Sequence, residues 1–205
     1  MSLDQLPFNW FDILICAALF FGVRRGRKNG MSEELIGTLM WVVITFGCAV
    51  IYQPVGQLLS NNSVFSLLSS YLMAYIVLAV LIAAGFSALK KALGGKLIGR
   101  DAFGSSEFYL GMIAGMVRFS CILIAAVALL NARSYSSAEI QAKIKYQNEV
   151  YGSNFFPSLY EIQAQVFDRS LLGPFIKNDL AFLLIQPTAP EQKQLTRRRN
   201  LISEP

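Results

Sequence analysis

Apolar residues in this chain fall into four blocks separated by short polar stretches. The blocks are residues 8–23 ("FNWFDILICAALFFGV"), 35–52 ("LIGTLMWVVITFGCAVIY"), 64–86 and 108–131. Residues 35–89 hold no Asp, Glu, Lys or Arg. A soluble core element has no use for so long a charge-free run, whereas two membrane spans and the turn between them do. Each block therefore predicts a transmembrane helix, four in all. The first is short. At 1.5 Å per residue it covers roughly 24 Å of a hydrocarbon core about 30 Å thick, so tilt or flanking residues must supply the rest. Between the second and third blocks, "QPVGQLLSNNS" carries Pro54, Gly56, Asn61 and Asn62 and reads as a turn.

The pattern changes after Asn131. Ser136 and Glu139 have capping-box spacing and open a polar helix expected to run to about Val150; Ser158 and Glu161 repeat the device before "IQAQVFDRSLL". Gly173-Pro174 is expected to end that second helix, and "LAFLLI" forms a last short apolar piece. From Gln186 onward, prolines, glutamines and Arg197–Arg199 predict a disordered tail. The predicted organisation is all-α: a four-helix membrane domain over 1–131, a helical extra-cytoplasmic segment over 132–185, and a tail over 186–205.

Charge orients the spans. The loop after the first block carries Arg24, Arg25, Arg27 and Lys28, and the loop after the third carries Lys90, Lys91, Lys96 and Arg100. The loop between the second and third blocks carries no basic residue. Short loops rich in Lys and Arg stay cytoplasmic. Both chain ends are therefore expected outside an inner (cytoplasmic) membrane, with the basic loops against anionic lipid headgroups. The first block differs from a secretory signal because its positive charges follow the apolar core instead of preceding it. "RRGRK", tied at both ends to the bilayer, is a poor groove binder, so no nucleic-acid partner is expected. In the third loop Leu89, Leu93, Leu97 and Ile98 recur among lysines and predict a piece lying in the headgroup plane, bent at Gly94-Gly95.

Composition narrows the chemistry. The 205 residues are 54% hydrophobic and 15% charged, against about 25% charged in an ordinary soluble domain. Histidine is absent, which excludes Ser-His-Asp and Cys-His catalytic sets and His-ligated metals. Cys16, Cys48 and Cys121 all fall inside apolar blocks and read as small packing residues, not as a metal site or disulfide framework. No acid–base or nucleophilic set converges. The expectation is a non-enzyme without a cofactor or metal.

Two ionisable residues, Asp12 and Arg118, fall within the four spans. A charge at membrane depth needs a partner, and depth bookkeeping predicts that these two pair. An alternative for Asp12 is an N-terminal turn, with Trp10 at the interface and the carboxylate favoured by the helix dipole. Gly111 and Gly115 form a Gly-x-x-x-Gly pair that lets another helix approach closely. Gly22, Gly26 and Gly30 share the spacing, but the charges among them favour a helix end or turn.

The order "NWFDILI", "RRGRKNGMSEELIGTLMWV", then "EFYLG" running into "GMIAGMVRF" resembles the bacterial colicin V production protein (CvpA) family over about residues 8–131, with "SLLGPFI" echoing a weaker feature further on. Glu107 stands where that family usually has Asp, and the C-terminal segment looks extended. Some relatives carry a periplasmic serine protease, which a chain without histidine cannot be. The resemblance implies an inner-membrane protein tied to colicin V production or export and to envelope function, and it implies no catalytic residues. The expected role is a membrane accessory or scaffold that assembles with itself or with export machinery. The alternative is a small channel or transporter with a path past Asp12 and Arg118.

Overall fold

The first helix starts where the sequence supplies a cap. Asn9 holds extended backbone angles and its side chain accepts the Trp10 N–H at 2.7 Å, while Asp12 accepts the Asn9 N–H at 3.0 Å. This reciprocal box satisfies donors that would otherwise be orphaned. The computed structural model describes residues 9–93, 104–151 and 158–188. In chain order the helices are α1 (Trp10–Asn62), α2 (Leu67–Leu93), α3 (Glu107–Asn131), α4 (Ser137–Tyr151), α5 (Leu159–Phe167) and α6 (Gly173–Asp179). Short 3-10 turns cover Gly104–Ser106 and Ala181–Leu183. The architecture is all-helical, and α1, α2 and α3 are long and apolar enough to cross a membrane.

The 53-residue α1 is broken at Gly30, whose φ of 76° and ψ of 172° lie outside the helical region. Contacts with α3 show what the break does. Before it, Gly22 meets Gly115 and Gly26 meets Gly111, so the chain runs against α3. After it, Thr38 Oγ1 donates to the Ala114 carbonyl and Thr45 Oγ1 to that of Cys121, so the chain runs with α3. Residues 10–29 and 31–62 thus form a helical hairpin around α3. The turn is one glycine in the left-handed region, where a side chain would be strained.

Beyond the expected end at Tyr52, the helix continues to Asn62, through Pro54 and Gly56. The turn expected at 53–63 is therefore mostly helix. Proline removes one main-chain donor but permits the helix to go on with a bend. Gly56 is a packing position: a Cβ there would sit 2.4 Å from Tyr71 Cδ1. The chain turns at 63–66, where Ser66 Oγ accepts the Ser69 N–H at 3.3 Å. Along α2, Tyr71 and Tyr75 then pack on Tyr52, and Cys48 Sγ approaches the Tyr75 carbonyl at 3.8 Å.

The C-terminal segment closes one end of the bundle. In α5 Glu161 accepts the Ser158 N–H at 3.1 Å, and the helix ends at Phe167. Gly173-Pro174 opens α6 instead of ending α5. A proline fits a first turn, where its missing N–H is not needed. Asn9 Nδ2 donates to the Gln165 carbonyl at 2.9 Å, Asn131 Nδ2 to that of Ile185 at 3.0 Å, and the Gln186 N–H to Tyr52 Oη at 3.0 Å. Thr188 pairs with Ala132, so order extends three residues into the expected tail. Phe167, Ile176, Leu184 and Ile185 share one apolar cluster with Ile44, Cys48, Tyr52, Tyr71 and Ala128. Lys96, Arg100, the Gly94-Gly95 bend and residues 189–205 of the expected tail lie outside the described residues.

Where α1 crosses α3 burial is inverted relative to a soluble bundle, whereas large side chains such as Tyr52, Tyr71, Tyr75 and Ile185 fill the end that the C-terminal segment closes. The fully or nearly covered positions include Gly22, Gly26, Ala114, Gly115, Cys121 and Ala125, whereas Phe20, Phe21, Val50, Ile76, Val80, Leu81 and Ile113 face outward. Small residues inside and large apolar residues outside suit a lipid solvent, in which helix association depends on close backbone packing.

Candidate functional site

The site grows from the crossing of the first α1 stretch with α3. A Cβ placed on Gly26 would lie 1.9 Å from the Gly111 carbonyl oxygen, and one on Gly115 would lie 2.1 Å from that of Gly22. The backbones touch, so no residue larger than glycine fits. Gly22 and Gly26 therefore form a packing face with Gly111 and Gly115, and only Gly30 acts as the turn that the sequence favoured for all three. Below the crossing, Glu107 caps the returning helix: its Oε1 accepts the buried Ser32 N–H at 2.7 Å.

That close approach brings three elements to one carboxylate. Glu34, 1% exposed, lies in the first turn of the returning stretch, where the helix dipole favours an acid. Its Oε1 accepts from Arg25 Nε at 3.1 Å and Asn29 Nδ2 at 2.7 Å, and its Oε2 accepts from Arg118 Nη1 at 2.7 Å. Arg25 and Asn29 are four residues apart and share one flank of their helix. Arg118 reaches across from α3 and passes over Gly37, where a Cβ would sit 2.9 Å from Nη1. Arg118 Nε has no hydrogen-bond partner among the described residues. The group borders a cleft of about 380 Å³ that also takes in Glu33, Met40, Phe86 and Lys90. Chemically, this arrangement holds a charge and locks three helical stretches. Among the described residues no cluster of His, Cys, Asp or Glu could hold a metal.

The structure does not bring Asp12 and Arg118 together. Asp12 caps α1 and also accepts the Leu171 N–H at 3.1 Å, which ties the C-terminal segment to the bundle. Since Gly22 lies level with Gly115, Asp12 lies level with about residue 125 of α3, roughly 10 Å along the axis from Arg118 at 1.5 Å per residue. Arg118 turns toward the Gly30 end and finds Glu34. The depth bookkeeping fails because the first helical stretch runs from Trp10 to the break at Gly30, well past the end of the apolar block at Val23. Glu34 lies one residue before the apolar block and so outside the predicted span. A signal was present: Glu34, Thr38 and Thr45 recur at four- and seven-residue spacing, a polar stripe on one helical face.

The remaining basic positions separate by face. Arg25 joins Glu34, whereas Arg24, Arg27 and Lys28 are exposed on another face of the same helix, and Lys90 and Lys91 are exposed at the end of α2. No curated protein and no solved structure matches the chain. A family model described as "Colicin V production protein" matches residues 11–178. That match takes in the glycine crossing, the Glu34 cluster and most of the closing C-terminal segment, and the chain belongs to the Colicin V production protein family.

Proposed function

We propose that the chain is a four-span protein of the bacterial inner membrane, with both ends outside, that serves colicin V production or export and envelope function as a non-enzymatic accessory or scaffold. The observation that carries this reading is the charge lock at Glu34. Its carboxylate is saturated by Arg25, Asn29 and Arg118, and it fastens the hairpin to α3 at the point where the glycines bring the backbones together. Such a core favours a fixed platform over a gated path. Against a solute path past Asp12 and Arg118 stands their axial separation and the separate partner each already has.

Crosslinking of the protein in native membranes, followed by detergent purification and mass spectrometry, should recover a second copy or a membrane export component at defined positions. A chain that crosslinks to nothing and moves a solute in proteoliposomes would overturn the scaffold reading. Orientation is checked separately. In a cysteine-free background, Asn61→Cys should label only from outside and Lys28→Cys only from inside, since the Gly30 end carries the basic residues; labelling of both from one side contradicts four spans.

A further inference from the structure

On the opposite side of the first α1 stretch from Glu34, a second cleft of about 690 Å³ is lined by Arg24, Arg27, Lys28, Phe108, Tyr109 and Met112. Residues 24, 27 and 28 have i, i+3, i+4 spacing and share one helical face. None of these three cations makes an ion pair among the described residues; the pairs that form involve Arg25, Arg118, Arg133, Lys145 and Lys177. Among the described residues no acid lines the cleft. Glu107, the first residue of α3, is engaged elsewhere: its Oε1 accepts the Ser32 N–H.

The facing wall is the start of α3, a 25-residue helix whose preceding residue, Ser106, makes no side-chain cap. Phe108 is 57% and Tyr109 70% exposed, as suits aromatic residues at headgroup level. Met112 lies one turn deeper, on the hydrocarbon side. Cations around the mouth, aromatics at the rim and a thioether below match an amphiphile with its phosphate up and its chains down.

We propose that this cleft is a discrete binding site for an anionic phospholipid, best filled by a headgroup carrying two phosphodiesters. A single phosphodiester would neutralise one cation and leave two unanswered on the same helical face, whereas a doubly anionic headgroup answers most of the charge. The proposal rests on the reading of the Gly30 end as a membrane interface, and it predicts selection among lipids beyond general attraction to an anionic surface.

The test is lipid retention by native mass spectrometry of the delipidated full chain in mild detergent. Three lipids are offered: a four-chain diphosphate lipid, a single-phosphate anionic lipid and a zwitterionic one. The wild type should retain the diphosphate lipid best. At about fivefold per cation, the combined change Arg24→Gln, Arg27→Gln, Lys28→Gln should lower that retention about a hundredfold. Removing three cations elsewhere (Lys143→Gln, Lys145→Gln, Lys177→Gln) should leave it unchanged, and Arg24→Lys with Arg27→Lys should largely preserve it. If the triple variant does not fold, Arg24→Gln and Arg27→Gln are read singly, each expected to give about a fivefold loss. Unchanged retention, an equal loss in the distant triple variant, or no preference for the diphosphate lipid overturns the proposal. Displacement by inorganic pyrophosphate also overturns it, by showing a site for a soluble anion. Labelling of Lys28→Cys from outside would reverse the orientation and leave retention in detergent untouched, so the two readings fail separately.

Discussion

Gly26→Ala should destabilise the protein by about 3 kcal/mol, whereas Gly85→Ala should stabilise it by about 1 kcal/mol. Both glycines lie inside long helices, and alanine raises helix propensity equally at each. Their surroundings set the sign. A Cβ on Gly85 meets nothing within 4 Å, whereas one on Gly26 would stand 1.9 Å from the Gly111 carbonyl oxygen and 2.7 Å from its carbon. These obstacles are backbone, so no side chain can rotate away and the helices must separate. Separation also opens the Gly22–Gly115 contact, where close dispersion packing substitutes for the hydrophobic effect that lipid does not supply. Unfolding midpoints of the two variants in one detergent provide the measurement. Equal effects, or the reverse order, would mean that α1 and α3 do not cross at these glycines.

How far the chain explains itself can be judged at particular residues. The apolar block at 108–131 becomes α3 to within one residue, because long apolar runs leave few other ways to satisfy a backbone in lipid. In contrast, α2 starts three residues into the block at 64–86 and runs on to Leu93, through Lys90 and Lys91 of the expected loop. The first two blocks become one hairpin, and the turn is much tighter than its charges suggest. Arginine and lysine are good helix formers, so "RRGRKN" stays helical and Gly30 alone reverses the chain. Pro54 and Gly56 read as punctuation, yet the helix passes through both because Gly56 lies under Tyr71.

The site was half legible. Arg118 was visible as a charge needing a partner, and Gly111 and Gly115 as a face for close approach. Glu34 was hidden by the edge of a hydropathy block, although its stripe with Thr38 and Thr45 was there to be read. The cap that Asp12 places on α1 was legible as an N-terminal turn, but its second partner was not. It is the main-chain N–H of Leu171, and a backbone donor leaves no mark in a sequence.

Glu34→Gln should cost about 3 kcal/mol, near the lower end for breaking a buried ion pair. The carboxylate is 1% exposed, but Arg118 retains 20% and Arg25 55% side-chain exposure, so water can still reach the orphaned guanidinium groups. Arg118→Gln alone should cost less, about 2 kcal/mol, because Glu34 keeps Arg25 and Asn29. The double variant should fall short of the sum by about 1 kcal/mol or more, since each single change includes the penalty of an uncompensated charge that the second removes. A parallel cycle discriminates between partners. Asp12→Asn loses the cap and the hold on Leu171 whether or not Arg118 is present, so Asp12→Asn with Arg118→Gln should add to within about 0.5 kcal/mol. Both cycles are read as unfolding free energies in one detergent. Additivity for Glu34 with Arg118, or coupling for Asp12 with Arg118, would reassign the membrane-depth arginine from the carboxylate at the Gly30 end to the one at the other.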